Sequence, residues 1–353
     1  MKALKYFDQW HVDLVDTHEL DCIEADDVIV NIQVCGICGT DVGIISGDYP
    51  VAHAGVTLGH ETAGIVSRVG TGVTAFKVGD RVVINPTYSC QKCRMCQIGN
   101  FNHCEDKDGT EAGVSYDGAF AEQYRAKENF LIKLDDHVSF AAASLTEPLS
   151  CAITGGDKLA IRHTNIRAAV IGAGPMGMLY LWVLHRRGVN AFMVEKNEYR
   201  FDFARDNLPP STSIYHDFDE AMHAEYAEPA PQIDLVVDTT GYLTETVMAC
   251  LAPGGKLLNI ALKDKKATVD VLKIADKSLS IQGSIDSLNN SFERAYAMIR
   301  DGEIPVEQLI SHEFSISEYE KAFQLVGCHI AEEKLTPPQN ANCKVLMRMT
   351  EQG

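Results

Sequence analysis

A glycine pattern in the middle of the chain constrains the fold more than any other feature of the sequence. An apolar run at 168–171 leads into Gly172-Ala-Gly-Pro-Met-Gly177, which opens a helical segment at 178–185. Glycines at this spacing between a strand and a helix allow the backbone to approach a pyrophosphate at the helix N-terminus. Glu195 ends the next predicted strand, 18 residues after Gly177, close to the roughly 20 expected for an acid that binds ribose hydroxyls. This stretch therefore predicts a dinucleotide-binding βαβ unit.

Strands and helices continue to alternate after the glycine pattern. Apolar segments at 232–238, 256–260 and 279–283 are separated by helical stretches. Such alternation is typical of a parallel, doubly wound sheet with helices on both faces. The middle of the chain is therefore predicted to be an α/β domain.

The two ends of the chain differ from this middle part. Residues 1–85 are rich in predicted strands and in glycine, as expected of a twisted, barrel-like sheet with tight bends. We therefore expect a discontinuous catalytic domain formed by residues 1–155 and 289–353. The nucleotide-binding domain, residues 156–288, would be inserted into it.

Four cysteines are concentrated in one short stretch, as Cys90-x-x-Cys93-x-x-Cys96-x7-Cys104. Three thiols at this spacing can surround one ion from a single loop, and the fourth completes a tetrahedron. Unrelated buried cysteines are the alternative, but four thiols within fifteen positions favour a metal. A closed set of four thiolates is typical of a structural zinc site.

A second group of metal-binding residue types is split between two motifs. Cys35-Gly-Ile-Cys38-Gly-Thr-Asp41 supplies a thiolate and a hydroxyl, and Gly59-His60-Glu61 supplies an imidazole and a carboxylate. Thiolate, imidazole and carboxylate form a zinc ligand set that can leave one position open for water or substrate. A redox pair of Cys35 and Cys38 is the weaker alternative, since no thioredoxin-like context surrounds them.

The charge balance excludes several classes of function. The chain has 49 Asp and Glu against 31 Lys and Arg, a net charge of −18. This balance argues against nucleic acid and against anionic membrane surfaces as partners. We find no secretory signal and no apolar run near the roughly 18 residues of a membrane span. We expect a cytoplasmic enzyme.

Taken together and in this order, these motifs resemble those of the zinc-dependent medium-chain dehydrogenases. The similarity is greatest to the polyol (sorbitol-type) and threonine dehydrogenase branch. The resemblance implies a GroES-like β-rich catalytic domain and a Rossmann-type nucleotide-binding domain. It also implies two zinc ions per chain, one catalytic and one structural, and a homotetramer or homodimer.

The resemblance assigns roles around the catalytic zinc. Cys38 and His60 would bind the ion, and Glu61 and Glu147 would supply carboxylates, one bound and one exchanging with water. Which of the two is bound stays open, and Cys151, one turn beyond Glu147, is a rival ligand. Thr40 would relay the proton from the substrate oxygen. Relatives often carry a histidine at the position of Gly43, so the later steps of this relay would take another route.

The resemblance also implies that NAD is the cofactor. A carboxylate at Glu195 would bind the free ribose hydroxyls and repel the 2′-phosphate of NADP. Lys196 and Arg200 could attract that phosphate if Glu195 turned away. The residues expected to contact the cofactor are Gly172, Gly174, Pro175, Met176, Gly177, Glu195 and Arg200.

The function that follows is oxidation of a secondary alcohol of a polyol or sugar-like substrate to a ketone, with the zinc facing the dinucleotide. A cyclitol, amino-alcohol or sugar-phosphate dehydrogenase of the same fold is the alternative. A non-catalytic protein that binds NAD and zinc is a further one. An intact set of Cys38, Thr40, His60 and Glu147 argues against the non-catalytic case.

Overall fold

The computed structural model describes residues 1–106, 112–263 and 265–349. Among these residues, no helix is both long and apolar enough to cross a bilayer. The chain divides into two compact units, and the first comprises the described residues of Met1–Ser150, Asp286–Pro337 and Lys344–Gly353. We call it the metal-motif unit.

The second compact unit comprises Cys151–Ile285 together with the short segment Pro338–Cys343. We call it the nucleotide-motif unit, because it contains the glycine pattern. The domain limits given above, with an inserted domain at 156–288, remain a prediction.

The first part of the chain is rich in strands, with short helices between them. Its strands are β1 (Lys2–Asp8), β2 (His11–Asp16), β3 (Asp27–Gly36), β4 (Glu61–Val69), β5 (Arg81–Ile84), β6 (Gln123–Lys127) and β7 (Leu131–Lys133). Its helices are α1 (Gly39–Ser46), α2 (Arg94–Gln97), α3 (Phe140–Ser144) and α4 (Thr146–Lys158).

Strands and helices alternate in the middle of the chain. The strands are β8 (Ala168–Ile171), β9 (Ala191–Val194), β10 (Ile214–Tyr215), β11 (Ile233–Asp238), β12 (Leu251–Asn259) and β13 (Ser280–Gly283). The helices are α5 (Pro175–Arg186), α6 (Glu198–Asn207), α7 (Phe218–Glu225), α8 (Thr244–Cys250) and α9 (Val271–Asp276).

The last part of the chain returns to shorter elements. Its helices are α10 (Ser291–Arg300) and α11 (Tyr319–Leu325). Its strands are β14 (Ile310–Ser315), β15 (Cys328–His329), β16 (Lys334–Leu335) and β17 (Lys344–Arg348). Single turns of 3₁₀ helix lie at Phe101–His103, Glu128–Phe130, Val306–Leu309, Ile316–Glu318 and Ile330–Glu332.

The metal-motif unit is built on a seven-stranded sheet in the order β14-β17-β3-β4-β5-β7, with β6 pairing along β3. β3 is its central strand, and Val28, Val30 and Ile32 from it are fully buried. Antiparallel pairing of β3 with β4 places Gly36 opposite Glu61. β3 leads into the first metal-binding motif and β4 follows directly from the second, so this register brings the motifs together.

The nucleotide-motif unit contains a parallel six-stranded sheet in the order β10-β9-β8-β11-β12-β13. From β8 the chain adds β9 and β10 on one side, and it then continues with β11, β12 and β13 on the other side of β8. The same change of direction occurs in doubly wound folds that bind ligands at the carboxyl ends of their strands. Val170, Met193 and Val236 from three adjacent strands are fully buried, as expected when helices cover both faces. The predicted doubly wound α/β architecture is confirmed.

Candidate functional site

The two metal-binding motifs meet at the end of the β3–β4 pair. Cys38 follows β3 by two residues and immediately precedes α1, and His60 immediately precedes β4. One ligand atom each from Cys38, His60 and Glu61 lies within 4.8 Å of the others. His60 and Glu61 are buried, at 2% and 0% exposure. Soft sulfur, imidazole and carboxylate at this separation fit a zinc ion, so the donor set suits the metal expected here.

Gly36 allows this close approach. A Cβ at this position would lie 2.2 Å from Oε2 of Glu61, well inside van der Waals contact. Any larger residue would displace the carboxylate or separate the two strands. In the same motif, a Cβ at Gly39 would meet nothing within 4 Å, so only Gly36 is required by the packing.

Asp41 links the two motifs through hydrogen bonds to the backbone of each. Its carboxylate accepts hydrogen bonds from the backbone N–H of Cys38 at 2.8 Å and of Gly59 at 3.2 Å. Oδ1 also lies 4.0 Å from Nδ1 of His60. Burial raises the pKa of the Asp41 carboxyl, although the His60 ring and both N–H donors act in the opposite direction. Asp41 therefore holds the backbone of both motifs together, and its carboxylate lies close to the imidazole of His60.

Lys344 at the start of β17 holds the carboxylate of Glu61. Its Nζ donates to Oε1 at 2.7 Å and to Oε2 at 2.5 Å, and to the carbonyl of Ile37 at 3.0 Å. Both side chains are buried, at about 2% exposure or less. The Glu61 carboxylate is therefore neutralised by an ammonium while it lies beside the thiol and the imidazole.

The structure separates the remaining candidates. Oγ1 of Thr40 lies 3.6 Å from Sγ of Cys38, which puts the hydroxyl beside the ligand set. Glu147 is buried in the first turn of α4 and is not part of the group of converging ligand atoms, which consists of Cys38, His60 and Glu61. The space beside Gly43 is bounded by Tyr49, whose Cβ would lie 3.1 Å from an added Cβ.

The thiol of Cys35 does not suit redox chemistry. Cys35 is fully buried, and burial raises the pKa of its thiol well above the usual value, with the charges of Asp41 and Glu61 adding to the effect. A reactive thiol needs the opposite environment, exposed and with a lowered pKa. All eleven cysteines are free.

The four clustered cysteines converge on one point. Sγ atoms of Cys90, Cys93, Cys96 and Cys104 all lie within 4.8 Å of one another. Backbone N–H groups point at these sulfurs, for example from Cys93 to Sγ of Cys90 at 3.3 Å and from Glu105 to Sγ of Cys93 at 3.3 Å. Donors from Cys96 and Glu105 lower the pKa of Cys93 to about 6. Four sulfurs supported in this way fit a closed zinc site.

The glycine turn of the nucleotide-motif unit leaves no room for side chains. Gly172 has a φ of +95°, and a Cβ there would lie 2.4 Å from Oγ1 of Thr239. A Cβ on Gly177 would lie 1.7 Å from the carbonyl oxygen of Gly172. Gly174 precedes α5, whose first residues are Pro175 and Met176. The helix therefore begins at a backbone surface that suits a pyrophosphate.

Glu195 follows β9 and is held by backbone donors on two sides. Oε2 accepts from the N–H of Ala173 at 2.8 Å and Oε1 accepts from the N–H of Asn197 at 2.7 Å. Nη1 of Arg200 lies 3.5 Å from the place of a Cβ on Gly174. Its buried Nε has no hydrogen-bond partner among the described residues. The acid and the guanidinium therefore both border the glycine turn.

Some residues that shape these sites were not assigned a role from the sequence. The sequence patterns indicated no role for Asp41, Asn197 or Lys344. Asp238 ends β11, and its Oδ1 accepts from the N–H groups of Thr240 and Gly241 at 2.8 and 3.0 Å. A carboxylate or amide close in sequence to a candidate site residue is the one signal that could have indicated Asp41 and Asn197.

Comparison with known proteins gives matches along most of the chain. The model of the alcohol dehydrogenase GroES-like domain matches residues 24–136, and that of the glucose dehydrogenase C-terminus matches residues 141–330. A probable D-xylulose reductase A from Aspergillus clavatus is 32% identical over 314 residues, which are 85% of this chain and 86% of that protein.

Two further proteins show the same correspondence. A sorbitol dehydrogenase from Halalkalibacterium halodurans is 30% identical over 332 residues, which are 88% of this chain and 91% of that protein. An alcohol dehydrogenase structure from Escherichia coli, complexed with NADH, is 25% identical with a TM-score of 0.85 and 99% coverage of both chains. These matches span both compact units.

Proposed function

Because the chain belongs to the zinc-dependent medium-chain dehydrogenases, in their polyol branch, we propose that it oxidises a secondary alcohol of a polyol or sugar-like substrate to a ketone. NAD is the hydride acceptor. The observation that carries this proposal is the convergence of Cys38, His60 and Glu61 within 4.8 Å. A structural zinc site would be closed by four protein ligands, whereas three leave a position for the substrate oxygen.

The residues around this site have different roles in deprotonating the substrate hydroxyl. A zinc ion held by Cys38, His60 and a carboxylate supplies Lewis acidity, which makes the substrate hydroxyl easier to deprotonate. Thr40 would relay this proton, taking it on Oγ1 while its own hydroxyl proton passes to solvent water, since its hydroxyl is beside Cys38. Asp41 keeps Cys38 and His60 in place through its bonds to both motifs.

We assign Glu61 as the carboxylate of the resting site and Glu147 as the one that exchanges. The support is that Glu61, and not Glu147, belongs to the group of converging ligand atoms. Lys344 donates two hydrogen bonds to Glu61. These bonds keep the carboxylate oxygens of Glu61 close to the thiol of Cys38 and the imidazole of His60. Cys151 is not used as a ligand in this scheme.

The nucleotide-motif unit binds NAD in the proposal. NAD, when bound, accepts the hydride from the carbinol carbon of the substrate. The turn formed by Gly172, Gly174 and Gly177 and the N-terminus of α5 would hold its pyrophosphate, and Glu195 would accept hydrogen bonds from the ribose hydroxyls. Arg200, with its unpaired Nε beside the turn, adds a positive charge for the phosphates.

We also propose that the protein forms a dimer through the edge of its parallel sheet. β13 is the last strand and pairs only with β12 among the described strands. On α9, which precedes β13 in the chain, Val271 and Leu272 are 73% and 76% exposed, and Ile281 on β13 is 43% exposed. An open edge with apolar neighbours is a surface that proteins cover. A two-fold axis would pair β13 with itself and cover it in both copies.

The eleven free cysteines support the cytoplasmic location expected from the sequence, because reducing compartments keep thiols free. Small molecules, and neither nucleic acid nor membrane, are the expected partners.

The test of the proposed function is a substrate panel. The purified, zinc-loaded protein is incubated with NAD and with xylitol, sorbitol, a cyclitol, an amino alcohol or a sugar phosphate, and NADH is followed by absorbance. Zinc per chain is measured on the same sample. We expect turnover with the polyols and two zinc ions per chain. Absence of turnover with every alcohol despite two bound ions would contradict the proposal.

A further inference from the structure

A short segment near the end of the chain belongs to the nucleotide-motif unit although the residues on both sides of it do not. This segment, Pro338–Cys343, is preceded by Pro337 and followed by Lys344, both of the other unit. We call it the C-terminal strap. Pro338 begins the strap directly after Pro337, and the proline rings fix φ at both positions.

The strap is hydrogen-bonded to Asn197, which follows Glu195 by two residues. Nδ2 of Asn197 donates to the carbonyl oxygen of Pro338 at 2.8 Å. The two positions are 141 residues apart in sequence, so this contact had no sequence signal. It is the hydrogen bond through which the strap reaches the segment between β9 and α6.

Asn197 uses every polar group it has. Its Oδ1 accepts from the N–H of Arg200 at 3.0 Å and caps the N-terminus of α6. Its own N–H donates to Oε1 of Glu195 at 2.7 Å. One residue therefore joins the strap, the start of α6 and the carboxylate of Glu195.

The orientation of Glu195 depends on this junction. The N–H of Ala173 fixes one carboxylate oxygen and the N–H of Asn197 fixes the other. Because an ionised carboxylate has about four acceptor sites, each oxygen can still accept from a ribose hydroxyl. If Asn197 moved, Oε1 would lose its donor. The carboxylate of Glu195 would then be held only by the hydrogen bond from Ala173 to Oε2, and it could rotate.

We propose that Asn197 is a positioning residue for cofactor selection, and that the C-terminal strap holds it through Pro338. The proposal rests on the role of Glu195 in the proposed function. A fixed Glu195 accepts ribose hydroxyls and repels a 2′-phosphate. A mobile Glu195 binds the ribose less well and opposes the 2′-phosphate less strongly, while Lys196 and Arg200 remain nearby.

The test compares Asn197→Ser with the unmodified enzyme. Serine keeps the backbone N–H and a capping oxygen but cannot reach Pro338. We expect the Kd for NAD to rise about three- to ten-fold, the range for one lost hydrogen bond. The Kd for NADP should stay the same or fall, and kcat at saturating NAD should not change. If Asn197→Ser is too unstable to titrate, Asn197→Thr, which also keeps a capping hydroxyl, replaces it.

The matched control is Asn207→Ser at the other end of α6, where Nδ2 donates to the carbonyl of Phe203 at 2.8 Å. It should change neither Kd. An equal loss of NAD and NADP affinity in Asn197→Ser would overturn the proposal, because it would indicate a general loss of structure.

The variant Glu195→Gln distinguishes the binding of ribose by Glu195 from the positioning of Glu195 by Asn197. Weaker NAD binding in Glu195→Gln with no change in Asn197→Ser would refute the strap and leave the ribose assignment intact. Unchanged affinity for both cofactors in Glu195→Gln would refute the ribose assignment, and the role of Asn197 with it.

Discussion

At the scale of single residues, Asp41 is the side chain that links the two metal-binding motifs. It is fully buried and accepts from both Cys38 and Gly59. An asparagine there would turn its NH₂ toward one of these N–H donors and leave a buried donor unpaired. We predict that Asp41→Asn weakens binding of the catalytic zinc about ten-fold or more, measured by competition with a chelator.

Asp117→Asn is the control for this prediction. Asp117 also accepts from a backbone N–H, that of Thr57 at 2.8 Å, but its side chain is 65% exposed. Asparagine retains that acceptor, so zinc affinity should be unchanged. Equal zinc affinity in Asp41→Asn and the unmodified protein would show that Asp41 does not orient the ligands.

Two glycines of one motif offer a second prediction at this scale. Gly36→Ala places a methyl group 2.2 Å from Oε2 of Glu61, and the carboxylate has little freedom to move because Lys344 holds it. We predict that this variant keeps the four-cysteine zinc and loses the other, so that zinc per chain falls from two to one. Gly39→Ala, where a Cβ meets nothing within 4 Å, should keep both. The prediction fails if both variants retain two ions.

At this scale the sequence was sufficient to predict the candidate metal ligands, but not the residues that hydrogen-bond to them. Cys38 and His60 were predicted as ligands because zinc limits its ligands to a few residue types at restricted spacings, and their ligand atoms converge with that of Glu61. Lys344 could not be found this way, because its partner Glu61 lies 283 residues away. Only the pairing of β17 with β3 and of β3 with β4 brings the two side chains together.

At the scale of elements, the loop of four cysteines has little apolar core of its own. Ile98 and Phe101 within it are 58% and 36% exposed. The order of this loop must therefore come largely from the metal, which can contribute on the order of 10 kcal/mol to such a lobe.

We predict that Cys93→Ser releases this zinc and makes the loop a site of rapid proteolysis, with a lower Tm and with the catalytic zinc retained. Limited proteolysis followed by mass spectrometry of the fragments is the measurement. Cys22→Ser, which changes a half-buried thiol of the same unit, is the control. A protease-resistant loop in the zinc-depleted Cys93→Ser protein would contradict the prediction.

Element boundaries show where sequence patterns were insufficient. The sequence at 139–160 predicts helical structure interrupted at Glu147-Pro148, with a helix beginning just after Glu147. The structure instead has α3 and α4 separated at Leu145, and α4 begins at Thr146. Two apolar segments within 73–84 flank a Gly79-Asp80 turn, and of these residues only Arg81–Ile84 form a strand.

The alternation of strands and helices was, in contrast, sufficient for the architecture of the middle of the chain. Period and order are local properties, and the handedness of βαβ crossovers leaves few arrangements. The expected α/β class and the resemblance to medium-chain dehydrogenases are confirmed.

At the scale of the whole molecule, the proposed dimer gives a separate prediction. Ile281→Lys introduces a charge at the exposed edge of β13, which opposes pairing of this strand with a second copy. We predict a monomer by light scattering, whereas we expect a dimer for the unmodified protein. Val78→Lys, at a position that is 62% exposed elsewhere in the chain, should leave the mass unchanged. An unchanged mass for Ile281→Lys would place the interface on another surface.

The central claim is that an ion held by Cys38, His60 and a carboxylate is required for polyol oxidation with NAD. The most direct measurement follows NADH formation from xylitol or sorbitol and zinc per chain in parallel, while a chelator removes the metal and zinc is then restored. The account predicts that the rate falls to background with the loss of one of two ions and returns when that ion is replaced. A protein stripped of both ions that still reduced NAD at the full rate would contradict it.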